Sequence, residues 1–145
     1  MGTLAQTVLP FKLEATEELL TANAGLALFG EFVRVLGLTR WLRQEMPKPG
    51  SGRGYEADAY VTPLVLMLTG GGRSLEDLRM LKSDTALATV LKCGTVPSTD
   101  AVGDWLRRTG EEAGLTGLSR INQRIAATRI RQTGITDHTL DIDAS

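Results

Sequence analysis

Between Ser74 and Gly110 the sequence stops and restarts so often that no helix within it can run much beyond about three turns, and this punctuation limits the fold more than any other feature. The piece "SLEDLRMLKSD" opens with Ser74 as a helix cap and Asp77 three residues on, as in a capping box. Leu75, Leu78 and Leu81 supply its apolar stripe. "DTALATVLKCG" repeats the design with an acidic cap, about two turns and a terminal Gly94. "PSTDAVGDWLRRTG" does so again: Ser98 or Thr99 caps, Ala101, Val102, Trp105 and Leu106 pack, and Gly110 stops the helix. Three short capped helices joined by tight turns predict a helix-turn-helix-like segment in a mainly α, multi-helix fold. The third helix ends in Arg107 and Arg108, which suits phosphate contact. Arginines at a helix C-terminus also favour the helix dipole with no DNA present.

Upstream, "TVLPFKLE" (Thr7 to Glu14) reads as a short extended segment, because Pro10 disfavours helix before it. In "TANAGLALFGEFVRVLGL", Leu26, Phe29, Val33 and Leu36 recur at helical spacing, and Leu28, Phe32 and Val35 widen the stripe. Gly25 and Gly30 weaken this helix or admit a close neighbour, and Gly37 is expected to end it. "LTRWLRQEM" predicts a second short helix from about Thr39, with Leu38, Trp41 and Leu42 inward and Arg40 and Arg43 solvated. "PKPGSGRGYEA" is a loop by its Pro and Gly content. Its Lys48 and Arg53 are weaker candidates for phosphate contact, and a flexible connector is the simpler reading. "DAYVTPLVLMLTGGG" predicts a buried helix capped by Asp58 or Thr62, with Pro63 in its first turn and Gly70 to Gly72 as its stop. The triplet lacks the Gly-Lys-Ser/Thr ending of a phosphate loop.

Composition bounds the chemistry. With 42% hydrophobic and 23% charged residues, the 145-residue chain can bury a core, as one domain or as a helical domain plus the start of another. A net charge of −1 gives no general case for nucleic acid, so any basic surface must be local. Cys93 is the only cysteine and His138 the only histidine, which excludes an intrachain disulfide and a zinc site built from Cys and His. Cys93 reads as a small apolar residue, His138 as structural or solvated. No basic stretch followed by an apolar run opens the chain, and the apolar stretch around Val61 to Leu68 is too short to span a bilayer. The expectation is a cytoplasmic protein without a membrane segment.

The strongest local basic cluster is "GLSRINQRIAATRIRQTG" (Gly117 to Gly134), a longer helix. Leu118, Ile121 and Ile125 share a face, and Arg120, Arg124, Arg129 and Arg131 occur with no acid among them. A solvated helix face is the simpler reading. Beyond Gly134 the period changes. In "HTLDIDAS", Leu140, Ile142 and Ala144 alternate with Asp141 and Asp143, placing both aspartates on one face of a strand. Two like charges side by side on a sheet are costly unless a cation lies between them. Mg²⁺ is a hard ion that carboxylates and phosphate commonly hold together. Such a strand fits DDE transposases, Asp-x-Asp phosphatases of the haloacid-dehalogenase type and Asp-x-Asp glycosyltransferases equally. An ordinary strand end with solvated acids is a further reading.

What precedes the strand narrows this choice. The run "LVLMLTGGGRSLEDLRMLKSDTALATVLKCGTVPSTDAVGDWLRR" resembles the N-terminal region of DDE transposases of bacterial insertion sequences, closest to the IS thirteen-eighty group. The match lies in the Gly-Gly-Arg-x-Leu-x-Asp-Leu segment, the following Leu-x-x-Asp-x-Ala-Leu helix, and the Pro-Ser turn opening a Trp-Leu-Arg-Arg helix. "ANAGLALFGEFVRVLGL" is similar to the same family, so the resemblance covers about Thr21 to Ser145. It implies a ribonuclease-H-like catalytic core whose acids hold two metal ions, Mg²⁺ or Mn²⁺, for phosphoryl transfer on DNA. Asp143 is implied as the first catalytic and metal-binding acid, because "Asp-Ala-Ser" fits the family's form, with Asp141 as the alternative. The family's second aspartate and its glutamate have no counterpart in this sequence. The chain is therefore expected to be an N-terminal part, inactive alone and without tight metal binding. Its expected organisation is an extended segment over 1–20, a helical DNA-binding and assembly region over 21–134, and the first strand of the catalytic core over 135–145. The implied partner is DNA at transposon terminal inverted repeats, together with a homo-oligomer. Phosphate contacts are expected from Arg107, Arg108, Arg120, Arg124, Arg129 and Arg131, and base contacts near Thr99, Asp100, Gly103 and Asp104. The alternatives are a phosphatase fragment or a helical interaction module without a DNA role.

Overall fold

The computed structural model describes residues 16–50, 54–91, 94–137 and 139. Among them are seven α-helices: α1 (Ala24–Leu36), α2 (Leu38–Glu45), α3 (Ala57–Thr69), α4 (Leu78–Ser83), α5 (Thr85–Leu91), α6 (Thr99–Thr109) and α7 (Glu112–Thr133). A 3-10 turn, Leu75–Asp77, leads into α4. The architecture is mainly α, and no strand occurs among the described residues. Ile135 to Asp137 and Thr139 adopt no regular structure, whereas His138 and Leu140 to Ser145 lie outside the described residues. So do Thr7 to Glu14, Arg53 and Cys93.

One core joins the helices. Leu42 of α2, Leu78 of α4, Leu87 of α5 and Val102 of α6 are fully buried, and Leu26, Val33, Leu66, Met67 and Ile121 surround them. Helices of six to thirteen residues are marginal by themselves, so this shared core holds them in place. Tyr60 and Trp105 stack with ring centroids 5.0 Å apart and planes 9° apart, fixing α3 to α6.

The punctuation works much as the sequence implies. Gly37 adopts φ 80°, the left-handed conformation that costs glycine little, and it both ends α1 and precedes α2. The Asp77 carboxylate accepts from the backbone N–H groups of Arg73 (2.8 Å) and Ser74 (2.9 Å) and from the Ser74 hydroxyl (3.1 Å). These bonds hold its pKa below the ordinary carboxyl value. Asp84 accepts the Leu87 N–H at 2.9 Å and so caps α5. Its other oxygen accepts from the Thr21 hydroxyl (2.5 Å) and the Asn23 amide (3.0 Å), tying the approach to α1 to the α4–α5 junction.

Five expectations change. α3 starts earlier than Asp58, so Pro63 lies inside it and not in its first turn. Asp58 does not cap the helix: it receives a two-pronged bond from Arg43 of α2 at 3.0 and 2.8 Å. α7 begins at Glu112 rather than Gly117, because Gly114 and Gly117 are buried within its packed face. Leu106 leans outward, 41% exposed, because Val102, Trp105 and Thr109 fill the inward face of α6. Leu28, Phe32 and Val35 do not widen the buried stripe of α1: they face solvent, since the bundle covers only the opposite side.

Candidate nucleic-acid interface

The arginines sit on the last two helices. Ser98 caps α6 by accepting the Ala101 N–H at 3.2 Å, and the helix runs to Arg107 and Arg108 in its final turn. Their cations face the negative end of the helix dipole. Arg107 pairs with Asp104, and Arg108 donates from Nε to the Asp104 carbonyl at 3.3 Å. Both guanidinium groups remain at the surface. Asp100 and Asp104 are exposed, whereas Thr99 is half-buried. Gly103 is half-buried as well, and a Cβ there would lie 3.7 Å from Leu75 of the 3-10 turn. Its open side therefore faces the bundle rather than solvent.

α7 is the longest element, 22 residues and so about 33 Å. Glu112 stands in its first turn and Arg131 in its last, each at the end of the dipole that favours its charge. At about 100° per residue, Arg120, Arg124 and Arg131 fall within about 40° of one another, and Arg129 lies on the far side. Glu45, from the last turn of α2, reaches two of them: Oε1 is 2.5 Å from Arg124 and Oε2 is 3.5 Å from Arg120. Gln44 accepts a further bond from Arg124 at 3.3 Å. The approach needs Gly117, whose absent Cβ would sit 2.5 Å from the Glu45 carbonyl oxygen. Arg131 donates to the Thr128 hydroxyl at 3.5 Å, and Arg129 has no hydrogen-bond or ion-pair partner among the described residues. From Ala126 to Thr133 every residue except Thr128 is exposed.

Glu45 and the Gly114/Gly117 pair were not identified by the sequence reasoning. The glycines leave a visible sign, two small residues three apart in a helix, whereas nothing near Glu45 in sequence indicates a partner on α7. Beside Glu45 an open hollow of about 590 Å³ is lined by Glu111, Glu112 and Arg120 among others, and its acids disfavour phosphate.

The chain matches no family model, no curated protein and no solved structure. Within the three-helix segment, α5 packs on α1 and α4 while α6 packs on α7 and the 3-10 turn. Lys48 pairs with Glu56 at 3.2 Å. Asp141 and Asp143 lie outside the described residues, and among the described residues no three His, Cys, Asp or Glu side chains gather as a metal site. No described helix is long and apolar enough to cross a membrane.

Proposed function

We propose that this chain is the DNA-binding helical region of a DDE transposase, holding the phosphate backbone through the arginines of α6 and α7. The observation that supports it is the second half of α7, an exposed helix carrying Arg129 and Arg131 with no acid beside them. Glu45 offsets one of the four positive charges of α7, so the helix keeps an excess that suits a polyanion. The family assignment rests on the motifs between Thr21 and Arg108. In its finer form, α4, α5 and α6 act as a helix-turn-helix-like reader with Thr99, Asp100 and Asp104 beside the bases. Residues 135–145, of which Ile135 to Asp137 and Thr139 adopt no regular structure here, would supply the first strand of a ribonuclease-H-like core in a longer parent. There Asp143, with Asp141 beside it, would hold Mg²⁺ or Mn²⁺ for phosphoryl transfer.

The test is binding of a fluorescent DNA duplex across a salt series. Affinity should fall with a log–log slope of roughly −0.9 per phosphate contacted. Arg129→Ala and Arg131→Ala should each reduce the slope by about 1, and Lys82→Ala on α4 should leave it unchanged. Absence of binding at low salt would remove the DNA role.

A further inference from the structure

Arg40 is a surface cation with no hydrogen-bond or ion-pair partner among the described residues, and nothing in the bundle gains from its charge. It is the third residue of α2, at the positive end of the helix dipole, where a cation is disfavoured. No acid stands in that first turn to offset it. Arg43, one turn further on, adds a like charge, and the nearby Asp58 carboxylate is already engaged by Arg43 at 3.0 and 2.8 Å. The dipole that favours Arg107, Arg108 and Arg131 at helix C-termini therefore works against Arg40.

The packing of α2 on α7 sets where that charge stands. Gly117 lies against the Glu45 carbonyl and the Met46 sulfur, Arg120 and Arg124 pair with Glu45, and Arg124 donates to Gln44 at 3.3 Å. Residue numbers fall along α2 as they rise along α7. The two helices thus run in opposite senses, and the first turn of α2 lies toward the turn of α7 that carries Thr128 and Arg131. Arg40 precedes Gln44 by four residues, so it shares that side of α2 about 6 Å nearer the helix start. Glu45 is already shared between two arginines and has no charge to spare for a third. We propose that Arg40 is a further phosphate-binding residue, forming with Arg124 and Arg131 one basic face across α2 and α7 that takes the backbone of a DNA duplex. The inference rests on the DNA-binding reading and adds a second helix to it. A polyanion on this face reverses the unfavourable setting of Arg40, since the phosphate charge outweighs the dipole and the like charge of Arg43. Leu38 and Leu42 fix α2 in the core, so the guanidinium is offered from a rigid support.

The test is the salt dependence of binding between the full chain and a fluorescent DNA duplex. Arg40→Ala should reduce the log–log slope by about 1, so that the affinity lost between about 50 and about 200 mM salt becomes roughly three- to fourfold smaller than for wild type. Arg40→Lys should keep the wild-type slope, because the slope counts charges at phosphate and not the shape of the donor. The thermal melt of Arg40→Ala should not fall, since the variant removes a cation from the wrong end of a dipole. Lys82→Ala deletes the same charge on α4, and Arg131→Ala reports on the DNA-binding reading itself. If Arg131→Ala lowers the slope while Arg40→Ala behaves like Lys82→Ala, the α2 contact is overturned and the reading of α7 stands. An Arg40→Lys chain that behaves like Arg40→Ala also overturns the contact, and so does an Arg40→Ala chain that melts several degrees lower. A wild-type chain that binds no duplex at low salt overturns both.

Discussion

Replacing Gly117 by alanine tests how closely α7 rests on α2. Within a helix alanine is favoured over glycine by roughly 0.8–1 kcal/mol, so an unobstructed site would gain stability. Gly117 is obstructed: the new Cβ would lie 2.5 Å from the Glu45 carbonyl oxygen and 3.0 Å from the Met46 sulfur. The sulfur can swing aside, but the carbonyl belongs to backbone and moves only if the helices part. Overpacking of this kind costs about 1–3 kcal/mol, and separation would also stretch the Glu45 bonds to Arg120 and Arg124. Offsetting the two, Gly117→Ala should destabilise by up to about 2 kcal/mol, a fall of up to roughly 6 °C in melting temperature for a chain of this size. Gly103→Ala is the matched control, because its Cβ would meet Leu75 and Arg107 at 3.7 Å, ordinary contact distance. That change should stabilise by about 0.5–1 kcal/mol. Thermal unfolding followed by circular dichroism measures both. Equal stabilisation by the two substitutions would refute the close α2–α7 contact.

Trp105→Ala removes the ring stacked on Tyr60 and should cost about 3–5 kcal/mol, enough to abolish the cooperative melt of a marginally stable bundle. A melt unchanged from wild type would contradict the stacked pair. Glu45→Gln should change stability by less than about 1 kcal/mol, because its arginine partners are substantially exposed. It should steepen the salt dependence of DNA binding, since Arg120 and Arg124 lose their competing anion; an unchanged slope would count against their part in the interface. The bonds from Thr21, Asn23 and the Leu87 N–H lower the pKa of Asp84 in the folded state. A depressed carboxyl pKa gives stability that is complete above the ordinary value near 3.8 and is lost as pH falls through the lower, folded value. Denaturant midpoints should therefore be flat from neutral pH to about 4 and drop below it. Asp84→Asn should shallow that drop, and an identical pH profile for the variant would exclude Asp84 as a source.

The helices were legible in the sequence where local chemistry decides them. Ser98, Asp84, Asp77 and Gly37 act on backbone within four residues, so their roles can be read from order alone. Partners were harder to read. The stripe of α1 is apolar almost all round, and only the bundle determines that Leu26 and Val33 turn inward while Leu28 and Val35 do not. Asp58 looked like a cap because its spacing suits one, yet Arg43, fifteen residues earlier, offers its carboxylate a stronger bond. The arginines of α7 appeared free of acids because the cluster contains none. Glu45, about eighty residues away, reaches two of them, a pairing that no periodicity reveals.

Only the first part of α7 is clasped by neighbours, so the rest behaves as an index arm whose angle is set by counting residues. One residue inserted after Ala127 would carry Arg129 and Arg131 about 1.5 Å further along the axis and turn them by about 100°. Two residues would turn them to nearly the opposite side, and seven would return them to within about 20° of where they began. The bundle would be untouched by any of these insertions. The helix thus couples length to direction, and the chain can change where its terminal charges point without disturbing a single core contact.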